Sequence, residues 1–195
     1  KPVPYTAVTS GGRNNEYMVE DQRFAARRPD VLVFETDTLT SDLTLTGEIV
    51  ANLLVSMTGT DADFIVKLID VWPDPSSLPA TQQGQRPTQM GSYQQMVRAE
   101  VFRGKFRNSF SKPEPFVPNK IEKVNFKLNE VAHTFKKGHR VMIQVQSSWF
   151  PLVDRNPNKF GTIANMDEKD FQKNTIKLYH DSRNSSYISL PVMNQ

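Results

Sequence analysis

Apolar residues recur at every second position in several short stretches of this chain. In 121–128, valine, phenylalanine and leucine alternate with lysine and asparagine, which is the period of a strand with one buried face. The segment 64–72 is apolar at nearly every position, which is typical of a strand inside a packed sheet. The same criteria predict eight strands, at 31–36, 45–55, 64–72, 93–102, 121–128, 140–149, 175–180 and 186–192.

Helical patterns are nearly missing from the sequence. One short helix is predicted at 167–173, where Asp167 and Glu168 would occupy its first turn. Strands do not alternate with helices, and the 13 prolines and nine glycines fall mostly between the strands. The pattern therefore predicts an all-β fold, either an antiparallel β-sandwich or a jelly roll.

The first 28 residues differ from the remainder because they show no steady period. They contain the turn signal Ser10-Gly11-Gly12, and we interpret 1–28 as an entering arm or linker ahead of a β-sandwich domain at 29–195. A long polar loop follows at 73–91, and a rigid proline-rich connector at 112–118. Loops as long as the first tend to be functional or disordered in compact domains.

Composition excludes several classes of protein. The chain has 195 residues, of which 37% are hydrophobic and 23% charged, as in a globular domain. It has no cysteine, which excludes disulfides, thiolate metal sites and a cysteine nucleophile. No apolar run approaches the roughly 18 residues that span a bilayer, so no membrane partner is expected.

Positive charge is concentrated in one part of the chain. The net charge is +3, but 98–140 holds eleven Lys or Arg against four Glu. Solvated strand faces explain this excess, because the lysines of 121–128 fall on the polar side of a strand. The alternative is a polyanion-binding surface, but no RNA-binding signature accompanies the basic residues, and no nucleic-acid partner is predicted.

Catalytic and metal-binding patterns are equally scarce. The G-x-S-x-G turn of α/β-hydrolases does not occur, and His133, His139 and His180 have no neighbouring motif that indicates a triad. Asp61 and Asp63 could offer oxygens to calcium, or could accept backbone N–H groups in the turn after Gly59. There is no Gly-rich phosphate loop, and no cofactor is predicted.

Aromatic residues near loops leave one binding alternative open. Trp72, Trp149 and Phe150 could form a platform for sugars, as in lectin jelly rolls. A tryptophan, however, is usually packed in the core with its indole N–H satisfied. An autonomous carbohydrate-binding module is therefore the alternative function.

Four strings occur in the order of a known family. They are EYMVEDQRFAARRPDVLVFET at 16–36, TGTDADFIVKLIDVWPD at 58–74, MVRAEVFRGKFRNSF at 96–110 and HTFKKGHRVMIQVQSSWFPLVDRNP at 133–157. Together they resemble the C-terminal domain of the α-amino acid ester hydrolases and glutaryl-7-aminocephalosporanic acid acylases. This group is related to cocaine esterase and the X-Pro dipeptidyl-peptidases. The resemblance covers about 16–192.

The resemblance implies a galactose-binding-like jelly roll without catalytic residues. In that family the domain packs on an α/β-hydrolase domain, which supplies the Ser, Asp and His of the triad, and on a helical cap. The implied parent is a serine hydrolase that cleaves esters or amides and is periplasmic or secreted. The resemblance is also compatible with a homo-oligomeric full-length enzyme. The arm 1–28 would then enter from the upstream catalytic domain.

The same resemblance suggests where the domain would dock. The loops 73–91 and 149–158 are the candidates for contacting the hydrolase and narrowing its pocket. In the second loop the expected docking or pocket-rim residues are Trp149, Phe150, Asp154, Arg155 and Asn156.

Overall fold

A computed structural model describes residues 21–74, 91–183 and 185–193. All eight predicted strands are confirmed within this part of the chain, most of them to within a few residues. Residues 1–20 of the predicted arm and 75–90 of the predicted loop lie outside the described residues. The elements are α1 (Arg23–Ala26), β1 (Val31–Glu35), β2 (Leu43–Met57), β3 (Asp63–Val71), β4 (Gln94–Arg103), β5 (Glu122–Phe135), β6 (Arg140–Gln146), β7 (Ile176–Leu178) and β8 (Tyr187–Ser189).

The strands form two antiparallel sheets. The first sheet has the order β1-β6-β3-β4, and the second has the order β5-β2-β7, with β8 also paired to β2. This confirms the all-β sandwich. The finer assignment to a galactose-binding-like jelly roll stays a prediction.

The central strand β3 is buried at all nine positions, as its apolar sequence predicts. Phe64, Val66 and Leu68 face the second sheet and join the main core. Ile65, by contrast, packs with Trp149 in a separate cluster on the outer face of the first sheet. The outer face of β3 is therefore covered by the loop after β6.

Strand β5 extends seven residues beyond the end predicted by alternation. Its register against β2 shifts between the pairs Gly47–Val131 and Ile49–Leu128. This bulge puts both Leu128 and Val131 in the core, although they are three positions apart. Alternation resumes after it with opposite parity.

The predicted helix at 167–173 is wrong in type and length. The chain forms a single 3-10 turn, Glu168–Asp170, and Phe171 is already extended. The Asp170 carboxylate accepts the Asp167 N–H at 3.1 Å and closes the turn. Such a short isolated segment forms too few hydrogen bonds to offset helix nucleation. No helix among the described residues is long and apolar enough to cross a membrane.

Candidate docking surface

The loop after β6 begins with a buried tryptophan. Trp149 is only 6% exposed and packs against Ile65 of β3. The ammonium of Lys67 lies 4.5 Å from its ring centroid. The next peptide bond, Phe150–Pro151, is cis, and the Phe150 side chain is 53% exposed. Trp149 therefore anchors the loop to the sheet, and Phe150 faces solvent.

Arg155 lies between two phenylalanine rings. Its guanidinium carbon is 5.4 Å from the Phe150 centroid and 5.2 Å from the Phe171 centroid, within range of cation–π attraction. Leu152, which lies between Phe150 and Arg155 in the sequence, is 53% exposed, and Phe171 is 40% exposed. We call Phe150, Leu152, Arg155 and Phe171 the Arg155 patch.

Arg155 forms no ion pair with any described residue, and in particular it does not pair with the adjacent Asp154. Both side chains are exposed. The guanidinium is therefore positioned by aromatic rings, while its hydrogen-bond donors remain available to a partner.

A groove of about 560 Å³ lies next to the patch. Arg103 in its wall is bonded by two nitrogens to Asp63, at 3.0 and 3.2 Å. The Lys105 ammonium donates to the Gly161 carbonyl at 2.6 Å. Basic side chains outnumber acidic ones in the lining, which includes Arg103, Lys105, Asp154, Arg155, Met166 and Phe171.

Asn156 fixes the loop through hydrogen bonds of its buried side chain. It is 7% exposed, and its amide donates to Asp63 at 2.8 Å while its oxygen accepts the Asn158 N–H at 2.8 Å. The five residues singled out in the sequence thus divide into two groups. Trp149 and Asn156 are buried and fix the loop, whereas Phe150, Asp154 and Arg155 reach solvent.

The two aspartates considered for calcium are engaged within the domain. Asp61 accepts the Ala62 N–H at 2.9 Å and the Lys105 N–H at 3.1 Å, and burial raises the pKa of its carboxyl. Asp63 holds Arg103 and Asn156. The described residues bring together no group of three or more His, Cys, Asp or Glu suited to a metal ion.

Two of the three histidines share one carboxylate. His133 Nε2 lies 2.8 Å from Asp70 Oδ2, and His139 Nδ1 lies 2.7 Å from Asp70 Oδ1. Asp70 is on β3 in the first sheet and His133 is on β5 in the second, so the contacts join the two sheets. His180 lies elsewhere and contacts Phe34 edge-to-face, with ring centroids 6.0 Å apart.

The aromatic residues considered for sugar binding are mostly occupied. Trp149 is buried, and the indole N–H of Trp72 donates to Gln95 at 3.0 Å while its ring centroid lies 4.9 Å from that of His139. Phe150 faces solvent, but its ring packs with Arg155. Nothing in this arrangement supports the carbohydrate-binding alternative.

Several residues around the docking surface escaped sequence reasoning. Arg103 could have been found from strand pairing, because it is opposite Asp63 in the β3–β4 register. Phe171 follows a 3-10 turn in an irregular segment, and no local signal indicates its position beside Arg155. Lys67 gives no signal in the sequence other than its charge within the apolar segment 64–72.

The two antiparallel sheets place this chain in the class of β-sandwich domains. The family described as the X-Pro dipeptidyl-peptidase C-terminal non-catalytic domain matches residues 9–189. The chain belongs to that family.

Relatives of known activity share the domain as part of longer chains. The chain is 31% identical over 192 residues to cocaine esterase from Rhodococcus sp. (strain MB1 Bresler), covering 98% of this chain and 30% of the esterase. The structure of an α-amino acid ester hydrolase labelled with selenomethionine matches with a TM-score of 0.82 and 44% identity, over 90% of this chain and 28% of that one. An aminopeptidase from a marine sediment archaeon, Thaumarchaeota archaeon, matches with a TM-score of 0.86 and 40% identity, over 100% and 32%. The chain therefore spans about three tenths of these relatives.

Proposed function

We propose that this chain is the accessory domain of a serine α/β-hydrolase that cleaves esters or amides. It docks on the catalytic and cap domains of the same polypeptide, stabilises them and shapes the rim of their pocket. The triad belongs to the catalytic domain, and no triad residue is assigned to this chain. Relatives named for ester, amino-ester and peptide substrates support this substrate class.

The Arg155 patch is the observation that carries the proposal. Two exposed phenylalanine rings flank a guanidinium that has no ion-pair partner among the described residues, and the exposed Leu152 lies in the same loop. Aromatic residues and arginine are the types enriched in the energetic centres of protein interfaces. A solvated surface gains little from exposing large apolar side chains, whereas an interface gains from burying them.

The chemistry of the patch specifies what the catalytic domain should present. An apolar surface would cover Phe150, Leu152 and Phe171, and a carboxylate would bind Arg155 at two nitrogens. Asp154 at the edge of the groove would pair with a basic side chain. Because Trp149 and Asn156 already fix the loop, docking requires little further ordering of the backbone.

A chimera tests the proposal. The α-amino acid ester hydrolase would be truncated to remove its own matching domain, and this chain would be fused in its place. We expect the fusion to raise the melting temperature and the ester-hydrolysis rate above those of the truncated enzyme. Arg155→Glu should remove most of this gain, since removal of one interface anchor costs more than about 1 kcal/mol.

Lys123→Glu provides the matched control, because Lys123 is an exposed lysine on β5 in the other sheet. It should leave the gain intact. If the fusion gives no gain, the accessory role is wrong. If both charge reversals have the same effect, the role stands but the Arg155 patch is not the contact.

A further inference from the structure

Strand β1 has one open edge. It is the terminal strand of the first sheet and pairs with β6, and no described strand lies on its other side. The Thr36 N–H donates to the Val141 carbonyl at 3.0 Å in continuation of this ladder. Antiparallel pairing alternates, so Val33 and Glu35 direct their backbone N–H and C=O groups to the open side.

This edge lacks the features that protect free edges from association. Leu32 is 46% exposed, and Val33 and Phe34 are each 38% exposed. The one charged side chain of the strand, Glu35, is paired with Arg140 at 2.9 Å. Unpaired strand edges normally carry lysine, proline or a bulge. Strand β5 at the edge of the second sheet has both lysines and a bulge.

Two apolar cavities open between the sheets along β1. The larger, of about 370 Å³, is lined by Phe34, and the smaller, of about 170 Å³, is lined by Leu32. Leu32 and Phe34 are two positions apart on the strand, which corresponds to about 7 Å. Core residues from both sheets form the walls of these cavities, among them Leu53, Val55, Ile143, Val145, Leu178 and Ile188.

We propose that an extended segment from the catalytic part of the same polypeptide completes the first sheet by pairing with β1. Its backbone would bond to Val33 and Glu35, and alternate apolar side chains would cover the two cavities, as in strand addition. The neutral edge selects an uncharged segment, because a charged side chain would find no unpaired opposite charge on β1. That the segment comes from the catalytic part rests on the proposed function. In the relatives, about 70% of the chain lies outside the matched domain and could contain such a segment.

Amide hydrogen exchange of the isotope-labelled chain tests this pairing. The probe is a blocked seven-residue peptide of alternating valine and threonine. We expect it to slow exchange at the Val33 and Glu35 amides by about tenfold or more, as ladder hydrogen bonds form. The amides of β5 should not change. Val33→Pro removes a donor that β6 does not use, so the variant should fold and lose the protection.

Val33→Lys gives a second variant with a charge on the edge and should also abolish protection. Equal exchange with and without peptide would overturn the proposal, as would equal protection of β5. Protection that rises with protein concentration alone would mean that a second copy occupies the edge, which also overturns it. In the chimera, a stability gain that survives Val33→Pro would reject strand addition while leaving the accessory role in place.

Discussion

Lys67 lies in the middle of β3 with no exposed surface. Its ammonium donates to Gln22 Oε1 at 2.8 Å and faces the rings of Trp149 and Phe24. No described carboxylate lies within ion-pair distance of it. Burial, with a smaller effect from Arg28, lowers the pKa of Lys67 from 10.5 to about 7. A lysine in this setting reduces stability while it is charged.

The stability of the domain should therefore depend on pH through Lys67. Between pH 7 and 10.5 the unfolded chain keeps a proton that the folded chain releases, so the free energy of unfolding rises with pH. Below pH 7 both states are protonated, and the contribution is constant. Lys67→Met removes this dependence, at most about 1.4 kcal/mol per pH unit. Urea unfolding at pH 6, 8 and 10 should show that the free energy of unfolding of the variant, relative to that of the wild type, falls as pH rises.

Lys127→Met is the control for this measurement. Lys127 is 70% exposed and pairs with Glu48 at the surface. The difference in unfolding free energy between this variant and the wild type should stay nearly constant over the same pH range. A constant difference for Lys67→Met as well would show that its pKa is the same in both states.

At the scale of elements, Asp70 connects three strands. Its carboxylate on β3 bonds His133 on β5 and His139, which directly precedes β6. Because Asp70 is 2% exposed, the contacts are shielded from water. They fix the two sheets to each other at one end of the sandwich.

Asp70→Ala should destabilise the domain by about 2–4 kcal/mol, since it leaves the buried ring of His139 and the half-buried ring of His133 without an acceptor. Asp70→Asn keeps an acceptor for one ring and should cost less. Denaturation at constant pH measures both. Asp42→Ala, which removes an exposed pair with Lys136 and the acceptor of the Lys137 N–H, should cost clearly less than Asp70→Ala. Similar losses for Asp70→Ala and Asp42→Ala would contradict the role of Asp70.

The strands were predictable because the side-chain period and burial are local properties. The extension of β5 was not, since the bulge between Leu128 and Val131 inverts the period and depends on pairing with β2. For the candidate docking surface, the sequence indicated the loop but not which of its side chains are buried. The contacts of Arg155 with Phe171 and of Asn156 with Asp63 join residues distant in sequence, so no local pattern encodes them.

On the scale of the whole molecule, folding offsets the uneven distribution of charge along the chain. Basic residues of 98–140 pair with acidic residues from outside that segment, which lowers the local excess of positive charge. The four pairs are Arg103–Asp63, Lys127–Glu48, Lys136–Asp42 and Arg140–Glu35. A count along the sequence therefore overstates the positive potential of the surface.

This pairing predicts weak binding to polyanions. A protein that neutralises several phosphates loses affinity steeply with salt, whereas paired side chains release few counterions. The chain should elute from heparin below ~0.3 M NaCl, and Asp42→Asn with Glu48→Gln should delay elution because it frees Lys136 and Lys127. Elution of the wild type well above this salt, or no delay in the double variant, would mean that the basic residues act as one exposed surface despite their partners. The polyanion-binding alternative would then regain support.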